Sequence, residues 1–67
     1  MTQITLNGEA RRVDPGETLA NLVDALGFEP ASLATAVNGE FIPREARAQW
    51  QLREGDAVFT FQPITGG

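Results

Sequence analysis

Residues 18–27 read TLANLVDALG, and the fold follows from them. Leu19, Leu22, Val23 and Leu26 stand at i, i+3, i+4 and i+7, the spacing that stacks side chains on one face of an α-helix. Thr18 offers a hydroxyl to cap the first turn, and Gly27 accepts the left-handed backbone that ends a helix. The apolar stripe of this helix must lie on something. A sheet is the only other surface the sequence supplies.

Both flanks carry strand signals. Upstream, QITLNGEARRV alternates apolar and polar residues around Asn7-Gly8, the strongest two-residue hairpin signal. Strands are predicted at about residues 2–7 and 9–14, with Ile4 and Leu6 facing inward, until Asp14-Pro15-Gly16 breaks the pairing. Downstream, FEPAS is irregular, and LATAVNGEFIPR fits a strand near 35–37, a second Asn-Gly turn at 38–39 and a short extended piece at 40–42. Pro43 confines that piece to an edge or an end of the sheet. The stretch REARAQWQLREGD reads as a connection with one helical turn, which Trp50 and Leu52 tuck onto the core. Gly55-Asp56 then turns the chain into a last strand, AVFTFQ.

The order is therefore strand, strand, helix, strand, short strand, strand, tail. A right-handed crossover through the helix lets the last strand join the first hairpin parallel to the first strand, with the helix crossing one face. This is the β-grasp class of α+β fold: a mixed sheet of four to five strands with one main helix packed across it. Residues 1–62 form the domain, and residues 63–67 a flexible tail. No repeat, linker or low-complexity segment interrupts them.

Alternation in the last strand puts Val58, Thr60 and Gln62 on one face and Phe59 and Phe61 on the other. Pattern alone favours the phenylalanines inside. The opposite choice leaves two aromatic rings on open sheet just before the tail, which is the composition of a docking surface.

Composition excludes several classes of function. The chain has 67 residues and no His, Cys, Lys or Tyr, so it lacks the commonest acids, bases and nucleophiles. A core of this size leaves no room for a deep catalytic cleft. An autonomous enzyme is not expected. Without cysteine there is no disulfide framework and no thiolate metal site. The net charge of −4 argues against nucleic acid. It suits a partner with a positive face, although mild acidity also serves plain solubility. No signal peptide and no membrane span are read in the sequence, so a cytoplasmic protein is expected. All five basic residues are Arg, which composition bias alone would produce. Whatever its origin, this means that an activated acyl group would meet no amine or thiol side chain on its own chain.

The last residues are PITGG. Glycine loses the most conformational freedom on ordering, so Gly66-Gly67 contributes nothing to a core. Chance alone would end roughly one chain in 200 this way, and frayed termini are often glycine-containing. The pair also has a chemical use. A segment that narrows from Pro63 through Ile64 and Thr65 to two residues without side chains threads a narrow channel. It presents the Gly67 carboxylate with no Cβ in the way.

Four stretches taken together carry a resemblance: GETLANLVDALG, AVNGEFIPRE, LREGDAVFTFQ and the final Gly66-Gly67. In this order and spacing, over essentially the whole chain, they resemble the ThiS family of ubiquitin-like sulfur carriers in thiazole biosynthesis. One position departs from the family pattern. Members commonly carry Trp four residues after the proline of the middle segment, where this chain has Arg47; its Trp comes three residues later, as Trp50. The resemblance implies that Val58 and Thr60 face the core, and that Phe59, Phe61 and Pro63 dock on a partner.

The same resemblance implies the chemistry. A ThiF-like adenylating enzyme uses ATP and magnesium to activate the Gly67 carboxylate, with Ile64, Thr65, Gly66 and Gly67 threaded into its active site. A cysteine desulfurase or another persulfide donor supplies sulfur, giving a thiocarboxylate that a ThiG-like thiazole synthase consumes. The carrier itself is expected to be a monomer with no bound cofactor or metal. Three other readings stay open. The small subunit of molybdopterin synthase shares this chemistry but usually runs longer. A ubiquitin-like modifier would be conjugated through Gly67. A plain structural domain would not need its tail.

Overall fold

The computed structural model describes residues 1–62. Among them lie β1 (Thr2–Leu6), β2 (Glu9–Val13), α1 (Leu19–Ala25), β3 (Ala34–Val37), β4 (Glu40–Ile42) and β5 (Ala57–Phe61), with 3-10 turns at Pro30–Ser32 and Arg44–Gln49. The tail residues Pro63, Ile64, Thr65, Gly66 and Gly67 lie outside the described residues.

The sheet order is β2-β1-β5-β3-β4. Strand β5 runs parallel to β1 and antiparallel to β3, and both hairpins are antiparallel. The last strand lies parallel to the first, as the crossover predicts, and it takes the centre of the sheet. This is the β-grasp arrangement, and β4, the strand followed by Pro43, is an edge.

Local chemistry accounts for the elements. Both hairpins turn on Asn-Gly pairs with positive φ, at 51° and 87° for Asn7 and Gly8 and 53° and 84° for Asn38 and Gly39. Such pairs match the twist of the strands they join. Helix α1 begins where the Thr18 hydroxyl accepts from the Asn21 N–H at 3.2 Å. It stops at Gly27, whose φ of 80° no β-branched residue would tolerate. Leu19, Leu22 and Val23 are buried from the helix. Leu19 and Leu22 meet Ile4, Val13, Val37, Ile42, Leu52 and Val58 from the strands and the last connection. Each fully buried aliphatic side chain of this kind contributes about 1.5–3 kcal/mol, so this single layer holds the domain together.

The connection after β4 is more ordered than the sequence suggests. Six residues, Arg44–Gln49, wind as a 3-10 helix where one turn is expected, and FEPAS contains a short one begun by Pro30. The chain then pairs with the helix entry: Leu19 N–H donates to the Trp50 carbonyl at 2.9 Å and Leu52 N–H to that of Glu17 at 2.8 Å. Trp50 and Leu52 do tuck onto the core. Arg47, the position at which the sequence departs from the pattern it otherwise resembles, is 3% exposed. Its Nη1 and Nη2 donate to the carbonyls of Pro30 and Leu33 at 3.0 and 2.6 Å. Burial and the charge of Arg44 hold its pKa below the ordinary guanidinium value, while Glu45 pulls the other way. Among the described residues no helix is long and apolar enough to cross a membrane.

Candidate functional site

The question left open by AVFTFQ is answered by its neighbours. Val58 pairs with Leu6 on one side and Val37 on the other. It is wholly buried, at 0% exposure, in the cluster under the helix. The next row on the opposite face runs Phe41–Ala36–Phe59 across β4, β3 and β5, and Phe61 stands opposite Ala34. Directly opposed residues share a face, so all five project away from the helix. Phe41, Phe59 and Phe61 are 63%, 39% and 57% exposed.

The pattern-based preference for inward phenylalanines is therefore corrected. Alternation within one strand has two solutions of equal quality, and only the register with β1 and β3 selects between them. Thr60 lies on the inner side opposite Thr35, as the resemblance implies.

The result is an aromatic trough. Strands are spaced by about 4.8 Å, so Phe41 and Phe59 stand roughly 10 Å apart with the small Ala36 as floor. Phe61 continues one wall. Beyond it opens a shallow groove of about 430 Å³ lined by Ala31, Ser32, Leu33, Ala34, Phe61 and Gln62. No charged side chain stands in the rows Phe41–Ala36–Phe59 and Ala34–Phe61. An apolar strip of this kind on a small acidic domain suits docking, not catalysis.

Phe41 is the member that reading the sequence missed. The available signal was Ile42: once that residue is buried against the helix, alternation turns Phe41 outward. Phe59 and Phe61, the two candidates on β5, lie exposed on its outer face. Pro63, Ile64, Thr65, Gly66 and Gly67, the remaining candidates, lie outside the described residues. Elsewhere, a polar hollow of about 420 Å³ is lined by Asn38, Gln49, Trp50, Gln51, Arg53 and Asp56. The Asp56 carboxylate there already accepts from Asn38 Nδ2 and the Arg53 N–H. Among the described residues no group of three or more His, Cys, Asp or Glu side chains could hold a metal ion.

A sequence model of the ThiS family matches residues 4–67 of the chain. The chain belongs to the ThiS family. Over 65 residues it is 37% identical to the sulfur carrier protein ThiS of Escherichia coli (strain K12), with 97% of this chain and 98% of that protein covered. Its fold matches the crystal structure of the thiamine biosynthesis protein ThiS from Geobacter metallireducens with a TM-score of 0.84. That likeness comes at 29% identity and covers 98% of this chain and 100% of the other. A solution structure of a thiamine biosynthesis protein from the same organism gives 0.77 at 32% identity, covering 98% and 88%. A computationally designed protein based on human erythrocytic ubiquitin, at 20% identity and a TM-score of 0.54, shares the fold alone. In this chain β5 itself forms one wall of the aromatic trough.

Proposed function

We propose that this protein is a sulfur carrier of thiamine biosynthesis and that the Gly67 carboxylate is its working group. The observation that carries this reading is the ThiS family match, which runs through Gly66 to Gly67. The aromatic trough supports it, because a carrier must be recognised by enzymes that it does not resemble.

The chemistry explains the division of labour. A carboxylate repels nucleophiles, and oxide is a poor leaving group. A ThiF-like partner uses ATP and magnesium: one Gly67 oxygen attacks the α-phosphorus, pyrophosphate leaves, and an acyl-adenylate remains. The terminal sulfur of a persulfide, supplied by a cysteine desulfurase, then attacks the carbonyl carbon and AMP leaves. A thiol cleaves the resulting sulfur–sulfur bond, freeing the thiocarboxylate and taking the other sulfur into a disulfide. A ThiG-like thiazole synthase then receives the sulfur. The carrier supplies recognition through Phe41, Phe59, Phe61 and Pro63 and reach through Ile64–Gly67; its partners supply acid, base and metal. It is a cytoplasmic protein substrate, not an enzyme.

The test is the mass of the C-terminal peptide. After incubation with the adenylating enzyme, ATP, magnesium and a sulfur donor, replacement of oxygen by sulfur adds about 16 mass units, the same nominal shift as oxidation of Met1. Cleavage after Arg53 releases residues 54–67, which contain no Met, so the two are separated. The gain is expected in that peptide and absent without ATP. An unchanged peptide mass would overturn the reading, and a lysine-linked adduct would replace it with conjugation.

A further inference from the structure

The chain holds three asparagines, and two of them, Asn7 and Asn38, precede glycine. Asn-Gly makes a turn, and it is also a reactive pair, because no side chain on the second residue screens its peptide nitrogen. Once that nitrogen gives up its proton, it can attack the asparagine Cγ. The bond from Cγ to Nδ2 breaks, and ammonia leaves. The cyclic imide that remains takes up a water molecule at either carbonyl, giving Asp or its iso-linked isomer. Asn21 stands outside this chemistry. It precedes Leu22, whose side chain crowds the nitrogen and whose N–H donates to the Thr18 carbonyl at 3.0 Å.

The two turns hold their carboxamides differently. Asn7 uses both ends on one residue: Oδ1 accepts from the Thr60 N–H at 3.0 Å, and Nδ2 donates to the Thr60 hydroxyl at 3.0 Å. A carboxylate in that place accepts from both, since a hydroxyl rotates to donate as readily as it accepts. Asn38 divides its carboxamide. Oδ1 accepts from the Ala57 N–H at 2.9 Å, while Nδ2 donates to Oδ1 of the Asp56 carboxylate at 3.0 Å. Only a donor suits that second place, and deamidation removes the donor. It leaves a carboxylate facing a carboxylate at hydrogen-bond distance, where like charges disfavour ionisation of both. Among the other charged groups nearby, Arg53 lines the same hollow and gives its backbone N–H to Asp56 Oδ2 at 2.9 Å. Glu40 follows the turn on β4, and the Glu54 carboxylate accepts from the Gln3 N–H at 2.9 Å.

Asp56 and Ala57 are the root of β5. The Thr5 N–H donates to the Asp56 carbonyl at 2.9 Å and the Asn38 N–H to the Ala57 carbonyl at 2.8 Å, so the root joins β1 to the second hairpin. We propose that Asn38-Gly39 is a deamidation site whose product carboxylate, set against Asp56, loosens the root of β5, whereas the same conversion at Asn7-Gly8 is tolerated. Water is the co-reactant, and no partner protein is needed, so the inference stands apart from the carrier reading. Each carboxamide must leave its partners before it cyclises. The folded chain therefore reacts through local opening.

Two measurements test this. The folded chain and a guanidinium-unfolded sample are aged in mildly alkaline buffer and cleaved after Arg. Residues 1–11 then carry Asn7 and residues 13–44 carry Asn38, with fragment ions separating Asn38 from Asn21. A gain of about 1 mass unit is expected at Asn38 in both samples, about tenfold slower in the folded one. No gain at Asn38 in the folded chain, over a period that converts the unfolded one fully, would overturn the site. The consequence is read by urea denaturation of Asn38→Asp and Asn7→Asp, which share any backbone cost of Asp at positive φ. At neutral pH, Asn38→Asp should shift the unfolding equilibrium about tenfold toward the unfolded chain, and Asn7→Asp less than about threefold. The paired carboxyls of Asn38→Asp hold a proton more tightly when folded. Its deficit against wild type at the same pH should therefore vanish below about pH 4 and grow as the pH rises from there. Adding Asp56→Asn returns a donor to the pair from the other side, and should bring Asn38→Asp back to within about threefold of wild type. Equal losses in the two Asp variants, or a deficit that Asp56→Asn does not relieve, would overturn the proposed consequence.

Discussion

Arg47 donates from Nε to the Thr35 hydroxyl at 3.1 Å, and that hydroxyl donates in turn to the Ile42 carbonyl at 3.0 Å. A charged side chain is thus joined to the one polar side chain on the buried face of β3, and through it to β4. With the bonds to Pro30 and Leu33, a single guanidinium links the last connection, the turn after the helix and two strands. Five donors in a rigid fork make this possible; an ammonium has no such shape.

Arg47→Met should therefore destabilise the domain by about 2–4 kcal/mol, because two inward carbonyls lose their donors and no bond replaces them. Arg47→Lys keeps the charge and loses the fork, and should cost about 1–3 kcal/mol. Against a total stability of about 5–10 kcal/mol for a domain of this size, both shifts are large. Urea denaturation measures them. A midpoint unchanged in Arg47→Met would show that the network is dispensable.

The same burial fixes the pH dependence. A cation whose pKa is lower in the folded chain binds its proton less tightly there, so stability rises with pH only above the folded pKa. Below it the electrostatic penalty is constant. Arg47 remains charged in both states through neutral pH, so the stability difference between wild type and Arg47→Met should be flat from about pH 6 to 9. Denaturation at three pH values in that window checks it, and a slope would point to another titrating group.

How much of this was legible depended on the distance over which each feature is decided. The helix and both hairpins were readable because their signals are local: Thr18 and Gly27 bound one, and Asn7-Gly8 and Asn38-Gly39 turn the others. The outward faces of Phe59 and Phe61 were not, since they depend on register with strands over 20 residues away in sequence. Resemblance supplied what periodicity could not. Arg47 was missed for a related reason. Its acceptors lie 12 to 17 residues away, so nothing beside it announces that a charge will be satisfied inside. The role proposed for Gly67 falls outside the described residues and rests on the family match alone.

Adjacent residues on β5 should respond in opposite ways. Val58→Ala removes two buried methyl groups from the centre of the core and should cost about 2–3 kcal/mol of stability. Phe59→Ser, on the outer face, should cost about 1 kcal/mol or less. Binding should reverse that order: Phe59→Ser and Phe41→Ser are each expected to weaken affinity for the adenylating partner about tenfold or more, as aromatic anchors do. Calorimetric titration of the folded variants measures this. If Phe41→Ser bound as tightly as wild type, the trough would reduce to its β5 wall.

The final glycines allow a test that spares both fold and functional group. Gly66→Val leaves a free Gly67 carboxylate and alters no residue of the buried core, so the urea midpoint should not change. What changes is the width of the segment and its freedom of φ and ψ, because a β-branched side chain restricts both. If the partner closes on the bare backbone, this substitution should slow adenylation about 100-fold. Ile64→Val alters a side chain farther from the reacting carbon and should be tolerated within about threefold. Pyrophosphate release with the two variants in parallel makes the comparison. Normal turnover by Gly66→Val would mean that the channel is wide, and the case for two terminal residues without side chains would rest on flexibility alone.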